Sequence, residues 1–440
     1  MLRATLSILG TRLATRLVTM AAGILIARTI GVSEQGVLGL LLMLGGLLAG
    51  MVDLGLGMGA VFFVGRQGWR EERFAGLALP VLLVATVVGL GLFSWLATTW
   101  LTDYAVALEG GNLAILALFV VGNAFTELLL NLFIARQRLR EYNLAEVLFA
   151  GVMLLATLVL TYVGAATAAP YFILYGAARL LVFFYLLTRL EHRPVAPVWR
   201  ELPNLLRYSL TQWSANQFSQ LSVRVDALML AWFIPRSPRI SLADLGLYTI
   251  CLLTITRLME IQRSIQTAFF SRVAGLDDAA AITATNSTYR RSFLVYLLLS
   301  ALLILFGWPV LWLYGPDFTA AWGVLTVLVL GTITLRGNAG MLMLYFSTVD
   351  RSIYTVHTHQ ITLVANVLFN GLLIPRWGNM GAAVGTSLSF AAGKLYLLWR
   401  YQQLTGSHWA RDLLIGPAEA RESIGDLIRE VREMLGQRRS

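Results

Sequence analysis

The stretch ILIARTIGVSEQGVLGLLLML, residues 24–44, decides the fold. It joins one apolar run to a second across a short polar segment that begins at Gly31, which is typical of one helix leaving a bilayer and another entering it. A similar arrangement recurs in LMLAWFIPRSPRISLADLGLYTICLL, residues 228–253. Each stretch ends a span, turns at Gly or Pro, and restarts on an apolar helix that contains glycine. The match predicts two related halves, as in transporters built from internal repeats.

The composition of the whole chain predicts that the membrane is its solvent. Of the 440 residues, 57% are hydrophobic and only 13% are charged, whereas soluble domains have about 25% charged residues. Apolar runs of about 20 residues, long enough to cross a bilayer, recur from end to end. We count twelve candidate spans, centred near residues 20, 45, 87, 123, 154, 178, 220, 257, 303, 330, 366 and 390. We therefore predict an all-α membrane protein with about twelve transmembrane helices in two pseudo-symmetric six-helix lobes around a central cavity.

Breaks in the apolar pattern predict the domain boundaries. The N-lobe is predicted to cover residues 1–190 with spans one to six, and the C-lobe residues 208–403 with spans seven to twelve. Residues 191–207 are interrupted by prolines and then turn amphipathic, so we expect an interfacial linker. The tail, residues 404–440, is predicted to form an amphipathic helix that lies on the inner membrane surface or docks a partner. Its apolar stripe consists of Ile424, Leu427, Ile428, Val431 and Leu435.

The distribution of arginines predicts the orientation. The formal net charge is +10, and the only lysine is Lys394. Twelve spans place both termini on one side, and the N-terminus together with the loops on that side carries seventeen arginines, against four in the opposite loops. Because short cytoplasmic loops retain positive charge, we expect both termini in the cytoplasm.

Span seven carries polar residues that a lipid-facing helix would not need. Gln217, Gln220 and Arg224 follow a 3,4 spacing and share one helix face, while Asn216 and Asp226 lie on a neighbouring stripe. Arg224 and Asp226 are two residues apart, about 200° around the axis, so they cannot pair within the helix. We predict separate roles, with Arg224 as an anion contact and Asp226 as an interhelical tether or a cation site.

Span eight has a longer polar stripe that predicts a water-lined or substrate-lined face. The spacings 3, 4, 3 and 4 connect Arg257, Glu260, Ser264, Thr267 and Ser271. Arg263 lies three residues beyond Glu260. Glu260 can serve simply to neutralise one arginine during insertion, but one arginine is then left over.

Further ionisable and polar residues within spans predict a wet, net-cationic interior, because such groups are costly in lipid and usually face a bundle interior. Each one alone is more typical of a structural role. They are Asp53, Asn123, Glu127, Asn131, Arg179, Arg336, Lys394 and, in span eleven, His359, Thr362, Asn366 and Asn370.

The chemistry of these residues indicates an anionic, hydroxyl-rich substrate. Arginine can hold phosphate oxygens through paired hydrogen bonds, and amides and hydroxyls can bind sugar hydroxyls. The predicted substrate contacts are Arg224, Arg257, Arg28, Arg263, Arg336, Arg179, Gln217, Gln220 and Asn216. The acids that could bind a coupling cation or proton are Asp53, Glu127, Asp226 and Glu260.

Several classes of mechanism lack their sequence signatures. The single cysteine, Cys251, cannot form an internal disulfide, and the four histidines form no ligand cluster. Leu388 stands where a P-loop ending in Lys394 would need its first glycine, so the chain has no Walker A site. We expect no catalytic residue, cofactor or metal, and no nucleic-acid partner. The remaining class is a secondary transporter or a facilitated flippase.

A set of short motifs resembles polysaccharide flippases of the Wzx/PST type in the MOP exporter superfamily. Each motif is degenerate, but their order and spacing match over nearly the whole chain. The motifs are residues 27–31 with 36–38, the break at 53–56, the stretches 225–230 and 245–248, the loop 313–318, and the turn 373–383.

The resemblance implies a non-enzymatic flippase of the bacterial inner membrane. Its substrate would be an undecaprenyl-diphosphate-linked O-antigen or exopolysaccharide repeat unit, moved from the cytoplasmic to the periplasmic leaflet. Membrane lipid and polysaccharide polymerase or chain-length proteins are the further partners it implies. Related lipid II flippases usually have fourteen spans, two more than we count here. A cation-coupled multidrug antiporter of the same superfamily is the other transport alternative, while a membrane glycosyl enzyme would need a large exterior loop.

Overall fold

The structure is a computed structural model that describes residues 2–99, 112–273, 276–349, 351–408, 413 and 416, and every α-helix named below lies in these ranges. The helices are α1 Leu2–Val52, α2 Leu56–Ala60, α3 Glu71–Thr99, α4 Asn112–Ala135, α5 Leu139–Tyr162, α6 Ala168–Thr188, α7 Leu202–Phe233, α8 Leu242–Val273, α9 Asp278–Tyr314, α10 Trp322–Val329, α11 Gly337–Thr348 and α12 Ile353–Thr405. The predicted tail helix and residues 100–111 lie outside the described residues.

The two longest helices each contain two spans. Helix α1 has 51 residues, about 77 Å at 1.5 Å per residue, which is more than twice the roughly 30 Å of a hydrocarbon core. It breaks at Gly31, where φ is 76° and ψ is −179°. Helix α12 has 53 residues and breaks in the same way at Gly378, with φ 55°. Glycine adopts positive φ without a Cβ penalty, so each break joins two spans without a separate loop.

The remaining spans follow from length and apolarity. Within the described ranges, eight helical stretches are long and apolar enough to cross a membrane, and two of these are the bent helices α1 and α12. Helices α7 and α8 have 32 residues each and are the two further spans of the prediction, less apolar because they carry its polar stripes. The described chain therefore contains the twelve spanning segments that the sequence predicts in a multi-pass membrane protein.

Span two is interrupted at residues 53–55, a turn that begins with Asp53. After α1 ends, Leu54 and Gly55 have φ values of 49° and 73°, and the short helix α2 continues as a π-helix over Val61–Arg66. A second π-helix, Leu330–Arg336, lies between α10 and α11. Such π segments often occur at functional sites because they rotate side chains out of the regular helical register.

The chain divides into two compact units. The first consists of Met1–Thr249 with Leu311–Thr319, and the second of Ile250–Val310 with Ala320–Ser440. The first unit thus includes the predicted linker and α7 in addition to the first six spans. The lobe boundaries predicted from the sequence stay predictions, because units defined by packing need not be the parts that move together.

The linker is bound to the start of α3. The amide of Val195 donates to the carbonyl of Glu72 at 3.1 Å, and the amide of Glu191 donates to Glu71 Oε1 at 2.6 Å. A 3₁₀ turn, Trp199–Glu201, then leads into α7. The linker therefore fixes where α7 begins, and α7 carries most of the candidate site of the first unit.

Glycines allow α1 and α8 to touch backbone to backbone. A Cβ at Gly246 would lie 1.9 Å from the carbonyl oxygen of Val32, and one at Gly36 would lie 2.2 Å from the carbonyl oxygen of Leu242. Small residues at helix interfaces are the usual basis of close packing in membranes, where burial of apolar surface gives little driving force between helices. These contacts hold the part of α1 that follows Gly31, its second arm, against the first turns of α8.

Candidate functional site

Arg224 lies on α7 against the second arm of α1. A Cβ at Gly46 would be 2.9 Å from its Nη1 atom, so the guanidinium rests on bare helix backbone. The Arg224 side chain is half-buried and has no ion pair or hydrogen bond to any residue that the structure describes. A charged group inside a membrane is costly without a partner, which makes Arg224 the strongest candidate anion contact in the first unit.

Two side chains of α7 share one carbonyl of α1. Trp213 Nε1 and Gln217 Nε2 both donate to the Gly50 oxygen, each at 2.9 Å. Carbonyls at a helix end lack an intrahelical donor, and this oxygen is accessible because the backbone turns to positive φ at Leu54. The break in span two therefore positions Gln217, which points along the same face as Arg224.

The other polar residues of α7 divide between open and buried positions. Asn216 and Gln220 are exposed, as residues that bind a hydrated glycan would be. Asp226 is completely buried, and its Oδ2 atom accepts a hydrogen bond from the Tyr248 hydroxyl of α8 at 2.5 Å. This geometry is that of an interhelical tether between α7 and α8, the first of the two roles expected for Asp226.

Arg179, by contrast, is neutralised within its unit. Its Nη1 atom lies 3.6 Å from Glu146 Oε1 and 3.9 Å from Glu127 Oε1, and its guanidinium stacks over the Phe149 ring at 4.0 Å. Two carboxylates and a π face compensate one cation, so Arg179 fits a structural role better than the predicted substrate contact. Glu127, whose side chain is 53% exposed, is the open member of this group.

Asp53 occupies the break of span two. Its Oδ2 atom accepts the Gly55 amide at 3.1 Å, while its Oδ1 atom is buried and has no hydrogen-bond partner in the described part of the chain. On α4, Asn131 Nδ2 donates to the carbonyl of Glu127 at 2.8 Å and would lie 2.8 Å from a Cβ at Gly57. The break thus packs against α4 at Asn131, one turn beyond Glu127, which keeps Asp53 and Glu127 as candidates for coupling.

Arg28 has a structural explanation that the sequence did not reveal. It donates through Nε to the carbonyl of Leu313 at 2.7 Å and through Nη2 to that of Trp312 at 3.2 Å. Its guanidinium also lies 5.3 Å from the centre of the Trp312 ring. These two bonds fasten the end of α9 to α1. A cavity of about 250 Å³ beside Arg28 is lined by Gly31 and Asp317.

In the second unit, Arg336 and Lys394 face aromatic rings. Arg336 lies at the end of the π-helix, with its guanidinium 5.4 Å from the Phe390 ring centre and its Nη1 atom 4.0 Å from Met259 Sδ. Lys394 Nζ lies 5.2 Å from the ring centre of Phe293. Cation–π contacts offset part of the cost of a charge in an apolar setting, and Arg336, being half-buried, remains a candidate contact.

Three of the four residues of the polar stripe predicted in span eleven do not line water. Thr362, Asn366 and Asn370 are buried, and Asn370 Nδ2 donates to Asn366 Oδ1. A Cβ at Gly385 would meet Asn370 Oδ1 at 2.2 Å, and one at Gly393 would meet Thr362 Oγ1 at the same distance. These three residues therefore pack between the two arms of α12, which corrects the expectation that they contribute to a wet interior, whereas His359, the fourth residue of the stripe, is half-buried.

The side chains of the stripe predicted in span eight lie outside the described part of the structure. Its backbone is helical as part of α8, but the side chains of Arg257, Glu260 and Arg263 lie outside the described part of the structure. Their assignment as substrate or coupling residues stays a prediction.

Three carboxyl or imidazole groups at the linker come close enough together to hold a metal ion, namely Glu71, Glu191 and His192. Arg138 Nη1, however, lies 4.0 Å from Glu71 and 3.6 Å from Glu191, and Arg136 Nε lies 3.9 Å from Glu71. Because these arginines compensate the carboxylates, the cluster is better explained as an ion-pair network that holds the linker.

Sequence reasoning missed three residues of the first unit. Glu146 is an isolated acid in span five. Its position within a span, next to the span that carries Arg179, is the feature by which the sequence could have identified it. Tyr248 and Trp213 looked like ordinary apolar aromatics, and their polar atoms matter only because Asp226 and the Gly50 carbonyl lie opposite them. Only the packing of helices that are distant in sequence identifies these two.

Comparison with known proteins identifies the fold. No family model matches the chain. The probable flippase AglR of Haloferax volcanii is 23% identical over 283 residues, which cover 62% of this chain and 58% of that protein. The match thus spans less than two thirds of the curated relative.

Two solved structures share the architecture over most of their length. The lipid II flippase MurJ in an inward closed conformation superposes with a TM-score of 0.72 at 13% identity, covering 90% of this chain and 87% of that one. An inward-facing multidrug resistance MATE family transporter of the MOP superfamily gives 0.70 at 16% identity, with 89% and 96% covered. The chain therefore has twelve spanning helices in the two-lobe fold of these transporters, as predicted, and the proteins it resembles are flippases and transporters rather than enzymes.

Proposed function

We propose that this protein is a flippase for an undecaprenyl-diphosphate-linked oligosaccharide, an O-antigen or exopolysaccharide repeat unit, and moves it from the cytoplasmic to the periplasmic leaflet of a bacterial inner membrane. The observation that carries the proposal is the contrast between two intramembrane arginines of one unit. Arg179 has two carboxylate partners within 3.9 Å, whereas Arg224 has no ion pair with any described residue. A transporter that leaves a guanidinium uncompensated in its interior is suited to an anion.

The neighbours of Arg224 suit the rest of the headgroup. Gln217 is held by the Gly50 carbonyl at 2.9 Å, which leaves its amide oxygen free to accept a sugar hydroxyl. The exposed amides of Asn216 and Gln220 can adapt to different glycans. A diphosphate held by arginine, with amides around the first sugars, matches the polarity of these positions, and Arg257, Arg263 and Arg336 are the predicted contacts of the second lobe.

The mechanism we propose is alternating access. The headgroup binds from the cytoplasmic side, the two lobes reorient, and the headgroup leaves on the periplasmic side while the lipid tail stays in the bilayer. A proton or sodium ion resets the cycle through an intramembrane acid. Asp53, with its buried Oδ1 atom, and the partly exposed Glu127 are the acids of the first unit that suit this step; Glu260 is the predicted acid of α8.

The test is transport of a fluorescent undecaprenyl-diphosphate-linked trisaccharide in proteoliposomes that contain Arg224→Gln. Loss of a charge-assisted hydrogen bond of about 1.5–3 kcal/mol predicts a roughly ten- to hundredfold weaker apparent affinity. Arg236→Gln is the matched control, because Arg236 lies just beyond the end of α7, where it donates to the Trp232 carbonyl at 2.8 Å with its guanidinium over the Trp232 ring. Equal transport by the two variants would refute the assignment.

Two alternatives share the fold and need the same assay with other substrates. A cation-coupled multidrug antiporter is favoured by the acids Asp53 and Glu127; it predicts that Glu127→Gln abolishes export of lipophilic cations while Arg224→Gln leaves it intact. A lipid II flippase would also use Arg224, and is distinguished by transport of lipid II in preference to the trisaccharide carrier.

A further inference from the structure

An apolar groove on the first unit lies next to the candidate headgroup contacts. It has a volume of about 790 Å³ and is walled by the second arm of α1, by α3, by Trp199 and by the start of α7. Its lining consists of aliphatic side chains, Phe93, the Met51 thioether and two indole rings, and the Trp213 indole already donates to the Gly50 carbonyl. A ligand of this groove therefore finds apolar surface and almost no free hydrogen-bonding group.

The groove is open to the surroundings of the protein along part of its wall. Met51, Val84 and Leu92 belong to its lining, and yet they are 52%, 63% and 57% exposed. In a chain that crosses a membrane, such apolar surface faces hydrocarbon rather than water. A chain-like ligand can therefore occupy the groove and still continue into the bilayer.

One stripe of α7 connects the groove with the polar residues. Leu202, Leu206 and Trp213 line the groove, and Gln217 and Arg224 follow at positions four and eleven residues beyond Trp213. These spacings keep all of them on one face of the helix. The distance along the helix axis from Trp213 to Arg224 is about 16 Å, so an amphiphile can reach both ends at once.

The volume of the groove suits a polyprenyl chain. An apolar cavity of about 150 Å³ holds one benzene, six carbons, so 790 Å³ holds on the order of thirty carbon atoms. That is more than one acyl chain of a phospholipid contains and about half of an undecaprenyl chain. A long tail would thus place its headgroup-proximal isoprene units in the groove and leave the rest in the membrane.

We infer that the groove between α1, α3 and the start of α7 binds the polyprenyl tail of the substrate while its diphosphate contacts Arg224. The inference rests on the proposed function, because it takes the headgroup to be that of a lipid-linked glycan. It assigns to the first unit the recognition of the tail, which the polar residues alone cannot provide. A water-soluble glycosyl diphosphate lacks this contribution and binds weakly.

The experiment compares Val84→Trp with Val87→Trp. Both residues are valines of α3 with nearly equal exposure, 63% and 64%, but only Val84 lines the groove. Binding is measured for undecaprenyl diphosphate carrying one hexose and for the same headgroup on a farnesyl tail. We expect Val84→Trp to weaken binding of the undecaprenyl ligand at least tenfold and of the farnesyl ligand less than threefold, with Val87→Trp unchanged for both.

Leu92→Trp is a second variant that fills the groove, and it is measured in case Val84→Trp does not fold. It should weaken binding of the two ligands in the same way as Val84→Trp. Equal binding by the variants of Val84 and Val87, or equal losses for both tails, would overturn the inference. Competition also distinguishes the occupants: a tenfold excess of diacyl phosphatidylglycerol should not displace the undecaprenyl ligand, and displacement would identify the groove as a phospholipid site.

Failure of the function and failure of the groove give different results. If the wild-type protein binds neither ligand, the proposed function and the inference both fall. If it binds both tails with the same affinity, the headgroup assignment stands and the groove assignment is wrong.

Discussion

Replacement of Gly46 by alanine tests the position of Arg224 without removing it. The new Cβ would lie 2.9 Å from Arg224 Nη1 and 3.7 Å from Cζ. Ordinary contact begins near 3.4 Å, so the end of the guanidinium has to retreat by about 0.5 Å, which a long flexible side chain can do at little cost in overpacking. Alanine also favours the helix over glycine by about 1 kcal/mol.

The substitution should therefore change stability and ligand affinity in opposite directions, which makes the prediction specific. We expect Gly46→Ala to keep or raise the thermal stability of the purified protein. Displacement of the guanidinium should at the same time forfeit part of the roughly 1.5–3 kcal/mol of a charge-assisted contact. We therefore expect the dissociation constant for the undecaprenyl diphosphate ligand to rise about three- to tenfold, measured by ligand-dependent melting and by direct binding in detergent.

Gly23→Ala is the matched control, because Gly23 lies on the same helix and a Cβ there meets nothing within 4 Å. It should gain the same helical stability and bind the ligand like the wild type. If Gly46→Ala and Gly23→Ala bind the ligand equally well, Arg224 does not contact the substrate at this position and the reasoning is refuted.

Three further substitutions test the surroundings of the site. Gly246→Ala should lower the melting temperature sharply, since its Cβ would lie 1.9 Å from the Val32 carbonyl and backbone cannot move aside; a melting point at or above that of the wild type would contradict the close packing. Tyr248→Phe should destabilise the protein by about 1–3 kcal/mol, measured by equilibrium unfolding, because it removes the donor at 2.5 Å from buried Asp226; Asp226→Asn, which retains an acceptor, should cost less. Arg179→Gln should reduce stability in the same assay without changing the headgroup affinity of the purified protein, and an affinity loss like that of the Arg224 variant would show that Arg179 binds substrate after all.

The fold was accessible from the sequence because its main determinants are local. Apolar runs of spanning length and the glycine at position 31 are visible without any knowledge of packing, and the structure places a helix break at that glycine. Helices α7 and α8 are the weakest spans by hydropathy. Their sequences explain this, because the polar residues recur at helical spacing and form a stripe on each helix. The length, the apolarity and the glycine break of a helix can be predicted from its own residues.

The site was only partly accessible, because its charges are assigned by contacts between distant residues. Arg28 and Arg224 look alike in the sequence, yet Arg28 bonds to carbonyls some 285 residues away while Arg224 rests on Gly46. Arg179 likewise loses its candidacy through Glu146, an acid on another helix. The asparagines of span eleven follow the same rule, since glycines opposite them turn a polar stripe into helix packing.

The glycine bends of α1 and α12 also determine where the topology of this protein can be mapped. A reporter enzyme or epitope inserted at Gly31 or Gly378 would have to separate two spanning helices that meet at a single residue, and it would report on a damaged protein. The segments 163–167 and 190–198 are irregular and largely exposed, so single cysteines there should be tolerated, whereas an insertion into 190–198 would disturb the bonds that hold the linker to α3. Cysteine labelling from either side of the membrane has its natural targets in these two segments, and the buried native Cys251 leaves the background clear.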